Sequence, residues 1–479
     1  MSAYFFSVRR DGNAQLDSYE GTDTKLVIPS DYEGHPVTSI ADNAFSWQSS
    51  IVSVTIPDTV TVLGEAAFSW CESLTSVHIP KTVKTIGEWC FIGCSSLRSI
   101  IIPPSVRKIN YSTFQSCLSL SEIVLPDSLR QIGPEAFSEC KSLRSVTLPK
   151  NLSSLGDNAF ASCDSLVSVN IPNHLQEIGN GVFSGCSSLS SFEVSPDHPV
   201  FASADHVLIN KREHSLLFYP FDKRDKEYNV PDGITEIAEE SFANRIHLES
   251  VTLPDSVRHI HEKAFYGCKN LKSVFLPDSI SRISANAFHG CSMLESVALP
   301  EGLKAIEYSL FYACASLTSV SIPSSVRFIA PCAFSGCASL SSIRLPDGII
   351  EIGESAFEGC RSLECIELPA SLEILGGHAF GSCAALEEVI FPKGLKVILP
   401  LTFSRCENLN RVVIPEGLET ISSEAFVNCE NLLSLQLPQS VSHIEPDAFN
   451  ECRHLMLFVY PDSYAKAFAM DRSMLYSEV

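Results

Sequence analysis

Three unrelated residue types recur along this 479-residue chain with one shared period of 23. Proline falls at Pro57, Pro80, Pro103, Pro126, Pro149 and Pro172, and again from Pro231 through Pro461. Phenylalanine runs from Phe45 to Phe183 and from Phe242 to Phe449. Cysteine follows three residues after the Phe, from Cys71 to Cys186 and from Cys268 to Cys452; Gln48 and Arg245 replace it at the start of each run. A fixed period in three columns is the mark of a repeat array, in which each unit buries its apolar face only against its neighbours. Chain length therefore does not count domains here. Apolar residues at 45% and charged residues at 19% are those of a folded protein.

One unit shows the grammar. In Leu271–Pro277, Val274 and Leu276 alternate as a short strand with one face inward, and Pro277, which has no N–H to donate, ends the ladder. Asp278 is placed to cap a helical turn, and Ile280 and Ile283 have the spacing of one. Ala287 and Phe288 fill the core on the return, and Cys291 and Leu294 lead to the next strand. Stacking such units gives an α/β repeat solenoid of about eighteen turns, curved, with one short parallel strand per turn lining an inner wall.

Ile132-Gly133-Pro134-Glu135-Ala136-Phe137-Ser138-Glu139-Cys140 and Ile352-Gly353-Glu354-Ser355-Ala356-Phe357-Glu358-Gly359-Cys360 resemble the BspA-type (Treponema pallidum-type) leucine-rich repeat, whose pattern is Leu-x-x-Leu-x-Leu-Pro, then apolar, Ile-Gly, Ala-Phe and Cys. The resemblance extends from Tyr4 to the C-terminus. It implies a non-enzymatic solenoid that binds proteins, and, by likeness to exported relatives, adhesion or host-protein recognition. An intracellular scaffold or regulator is the alternative.

The beat breaks once, between Pro172 and Pro231. Val207–Ile209 and Leu216–Tyr219 read as two strands about a polar turn, a hairpin expected to sit as an island on the solenoid. A smaller insertion lies at residues 33–37. The expected organisation is one solenoid over 1–479: a cap and first repeat at 1–45, a repeat block at 46–194, the island at 195–230, a second block at 231–461 and a cap at 462–479. Two or three strands with an Asp11-Gly12 turn are expected in residues 3–28, and a short helix from Tyr464.

A net charge of −22 opposes nucleic acid and anionic membranes. Met1–Arg10 lacks a leader pattern, and no apolar run has transmembrane length. The expected compartment is the cytoplasm; a leaderless route or loss of a leader would put the chain at the surface or outside the cell.

No cofactor, metal or catalytic constellation is expected. Fifteen of the eighteen cysteines lie in the repeat column and read as small buried apolar residues rather than metal ligands; Cys365 falls on the wall face. The acids after successive prolines (Asp232, Asp255, Asp278, Glu301) read as turn caps, with a calcium column as the competing view. His198, His206, His214, His259 and His261 accompany no nucleophile motif and read as surface residues. Trp47 and Trp70 read as hydrophobic closure of the N-terminal cap.

Specificity is expected where the wall varies. Four residues before each proline the chain is mostly serine; two before, it runs Thr55, His78, Ile101, Val124, Thr147, Asn170, then Thr252, Phe275, Ala298, Ser321, Arg344, Glu367, Ile390, Val413 and Gln436. The candidate partner-binding residues are Ile101, Val124, Phe275, Arg344, Glu364, Glu367, Glu387, Glu388, Ile390 and Val413, apolar anchors with an acidic cluster among them.

Overall fold

The structure is a computed structural model and describes residues 3–479. The chain forms two compact units, Met1–Lys223 and Arg224–Val479. Both are parallel-strand solenoids of 23-residue turns, and among the described residues the one helix is Tyr464–Asp471.

Three rows of backbone hydrogen bonds join each turn to the next. The first is the expected wall. Ser53–Thr55 lies beside Ser76–His78, and Ser250–Thr252 beside Ser273–Phe275, in parallel register. The period of two turns Val54, Val251 and Val274 inward. The second row was not expected: two-residue strands such as Val62–Leu63 beside Thr85–Ile86, and His259–Ile260 beside Arg282–Ile283. The helical turn expected after each proline is instead a β-turn, closed in one repeat by the Val257 N–H donating to the Pro254 carbonyl at 3.0 Å. Its hydroxyl bonds across the stack, as when Ser279 Oγ donates to the Val257 carbonyl at 2.7 Å. Ile283 is thereby freed to point inward from a strand.

The third row is the Phe turn. The N–H groups of Asn43, Phe45 and Trp47 donate to the carbonyls of Glu65, Ala67 and Ser69, each at 2.8 Å. Reaching those acceptors puts Asn43 and Trp47 at φ 58° and 63°. A left-handed non-glycine residue costs about 1–2 kcal/mol, which the lateral bonds offset. The Phe rings behind this turn stack nearly parallel, 4.9–5.9 Å apart between centroids in the first unit and 4.9–5.7 Å in the second.

Each of the fifteen column thiols donates to the carbonyl of the Phe 26 residues earlier, at 2.9–3.3 Å. They are buried, as expected, and are also a ladder of donors. Gln48, which stands in for the first cysteine, makes the equivalent bond to the Tyr19 carbonyl at 3.3 Å. Tyr19 in turn packs on Phe45.

The ends of the array are covered. Ala3–Val8 pairs antiparallel with Ala14–Glu20 around Gly12, and Ala14–Glu20 continues parallel to His35–Ile40. The insertion at 33–37 is a tight hairpin whose Glu33 and Gly34 are both left-handed. In the second unit Leu475–Glu478 pairs with Met456–Val459, and Phe468 of the helix packs edge-on against Phe449.

The break contains the expected hairpin, Val207–Asn210 against Ser215–Phe218, and a third antiparallel strand, Phe201–Ala204. It does not sit on the solenoid as an island. Val200, Phe201, Leu208 and Phe218 belong to the core of the first unit, where Phe218 and Phe192 take up the stack after Phe183. His198, expected at the surface, is fully buried. Its Nδ1 accepts the N–H groups of Val200 and Phe201, and its Nε2–H donates to the Pro172 carbonyl at 3.1 Å. Burial and the nearby Lys211 and Arg212 hold its pKa below the ordinary histidine value.

Candidate functional site

The wall residues stand where the strand period puts them. Ile101 and Val124 are register partners in the first unit and are 67% and 57% exposed. Phe275, 59% exposed, lies beside Thr252 in the second. Glu367, Ile390 and Val413 form one continuous row, with Ile390 49% and Val413 37% exposed. Ser342 bridges to Cys365, so Arg344, two residues on, heads that row beside Glu367. The parallel row on the same face is Cys365, Glu388 and Arg411. Arg411 and Glu388 form an ion pair. Glu364 and Glu387 are exposed at the strand entrance, stacked through the Glu387 N–H and the Glu364 carbonyl. The second unit thus presents two apolar side chains inside a charged frame, fixed by backbone pairing at about 4.8 Å per strand. The exposed Cys365 belongs to this patch.

Three groupings on these surfaces escaped the sequence reading. Glu249 pairs with both Lys226 and Lys272 at 2.7 Å, and the two ammonium groups hold its carboxyl at about 2. The signal was a charge-alternating column five residues before the proline. Glu236 accepts from His259 at 3.0 Å and His261 at 2.8 Å, so these histidines are a linked trio rather than isolated surface rings. In the first unit a cleft of about 950 Å³ opens on the wall beside the end of the repeat run, lined by Thr147, Asn170, Glu193, Ser168, Lys150 and His174 among others. Glu193 continues the Thr147–Asn170 row up to the break, where Ser195 stands in place of the proline that would have marked it.

The acids after proline do not behave as the caps of their own turns. Asp232, Asp255, Asp278 and Glu301 are exposed, Asp127 pairs with Lys150 at 2.9 Å, and Glu416 accepts two N–H groups of the following turn. Among the described residues no three His, Cys, Asp or Glu side chains form a group able to hold a metal ion. No described helix is long and apolar enough to cross a membrane. Burial pushes Cys71, Cys117, Cys268, Cys314 and Cys406 up to about 12, which keeps these five thiols protonated at neutral pH. Trp47 and Trp70 do stack, at 5.1 Å and 6°. Trp47 is nevertheless 67% exposed, so the pair does not close the cap.

Comparison with known proteins follows this geometry. The family model for the BspA-type leucine-rich repeat region matches six copies, over residues 38–132, 107–203, 218–341 and 328–456. A leucine-rich cell surface protein of Faecalibacterium prausnitzii A2-165 is 31% identical, with a TM-score of 0.62, over 76% of this chain and 93% of that one. A leucine-rich repeat protein of Bacteroides ovatus ATCC 8483 is 27% identical, with a TM-score of 0.51, over 86% and 98%. The pneumococcal vaccine antigen PcpA shares the fold at 19% identity and a TM-score of 0.51, over 99% and 96%. No curated protein sequence matches.

Proposed function

The chain belongs to the BspA-type leucine-rich repeat family, and on that footing we propose that it is a non-enzymatic protein-binding solenoid acting at the cell surface in adhesion or host-protein recognition. The observation that carries the proposal is the wall. Backbone pairing holds Arg344, Glu367, Ile390 and Val413 in one row, with Glu388 and Arg411 in the next, so contact residues are preordered and binding need not order them. Ile101, Val124 and Phe275 are further anchors, and Glu364 and Glu387 an acidic border. The same proposal takes residues 1–479 as a single array. The surface location is supported by the F. prausnitzii relative, a cell surface protein by name.

A second reading, an intracellular interaction scaffold, is favoured by the thiol ladder, whose members donate hydrogen bonds only while reduced. Labelling intact cells of the source organism with a membrane-impermeant reagent separates the two. Labelled chain supports the surface reading; labelling only after lysis removes adhesion and leaves the scaffold.

A further inference from the structure

Trp47 and Trp70 occupy a backbone position that suits glycine. The same position in the next turn is Gly93; later turns carry either glycine, as at Gly267 and Gly290, or other residues such as Glu139, Asn244 and Arg405, all left-handed. Both tryptophans take that conformation, at φ 63° and 56°, which is an outlier for a bulky side chain. Trp70 lies on Gly93, where a Cβ would come within 2.5 Å of its ring. Trp47 lies on Trp70, and its other face belongs to the exposed surface. The left-handed backbone belongs to the turn in every repeat, so what sets these two positions apart is the pair of stacked indoles and the exposed outer face of Trp47, an aromatic surface open to a ligand.

Charge indicates what would be recognised. Between Lys25 and Lys81 there is no lysine or arginine, while the same stretch holds Asp31, Glu33, Asp42, Asp58, Glu65 and Glu72. Asp42 and Glu65 precede the two tryptophans by five residues, Glu72 follows Trp70 by two, and all three are exposed. We propose that the Trp47–Trp70 stack is a platform for an arginine or lysine side chain of a basic segment in a protein partner, seated by cation–π contact and drawn in by the surrounding carboxylates. This surface is built on the Phe turn and is independent of the wall.

The test uses the full chain and fluorescein-labelled hexa-arginine, with hexa-citrulline as the uncharged isostere and cellohexaose as a neutral sugar. Trp47→Gly keeps the left-handed backbone and the net charge while removing the outer ring. The proposal expects hexa-arginine to bind the wild type, to quench its tryptophan fluorescence, and to bind Trp47→Gly about tenfold more weakly. Equal affinity for the two proteins would overturn it, because net charge alone would then account for binding. Hexa-citrulline binding as tightly as hexa-arginine, or quenching by cellohexaose with none by the peptide, would overturn it in favour of a neutral ligand. Circular dichroism of Trp47→Gly identical to wild type ties the loss to the ring.

Discussion

Replacing Cys117 separates the two roles its thiol fills. Cys117 is fully buried. Its Sγ–H donates to the Phe91 carbonyl at 3.2 Å, and that carbonyl also accepts the Cys94 N–H at 3.2 Å. Alanine removes the apolar bulk of the sulfur, about 1 kcal/mol, and one of the two bonds to the carbonyl, about 1 kcal/mol, for a total of about 2 kcal/mol. Valine keeps the bulk and loses the donor, so it costs about 1 kcal/mol. Serine keeps a donor and loses apolar contact, for a similar cost of about 1 kcal/mol. The assay is urea unfolding followed by tryptophan fluorescence, since all three tryptophans, Trp47, Trp70 and Trp89, lie in the turns before Cys117. If valine matched the wild type while serine cost as much as alanine, the thiol would be filler and the donor ladder would have no energetic role.

Thiol titration of the native protein gives one fast-reacting group, the exposed Cys365, and one slower, the half-buried Cys332; the other sixteen react only on unfolding. Fast reaction of more than two would contradict the buried ladder. His198 has a folded pKa below its unfolded value, so its contribution is fully present above about pH 6.5 and is lost as pH falls through the folded value. The melting temperature of the wild type should therefore drop between about pH 7.5 and pH 5 by more than that of His198→Asn; equal drops would refute the assignment. Gly376→Ala would place a Cβ 2.4 Å from the backbone of Gly353 and Glu354, and the forced shift should cost about 1–3 kcal/mol in a chemical melt. A neutral substitution would mean that adjacent turns are not in close contact there.

The proline, Phe and cysteine columns carried most of the fold because each is an independent residue type with a fixed role in every turn. The second strand row was hidden. Two residues such as Arg282–Ile283 are too short to show alternation, and Ile280 and Ile283 have helical spacing by accident of the turn between them. The buried meander was more legible than the island reading allowed. Val207-Leu208-Ile209 is apolar at consecutive positions, which marks a strand covered on both faces. His198 gave no such signal, since Ser195-Pro196-Asp197-His198-Pro199 reads as an exposed turn until the partners of both ring nitrogens are in place. The wall residues were predictable from strand parity alone. Their grouping into Arg344, Glu367, Ile390 and Val413 followed from register, which the strict period supplied.

The claim that the variable wall row is the binding surface is tested most directly by comparing what four forms of the chain capture from native lysate and host matrix, quantified by mass spectrometry. These are the wild type, Ile390→Asp combined with Val413→Asp, Phe275→Asp, and Met293→Asp, the last an equally exposed apolar residue off the wall. The account predicts proteins enriched by the wild type and by Met293→Asp and lost with one or both wall variants, all four forms keeping the same melting temperature. The same proteins captured equally by every form would contradict it.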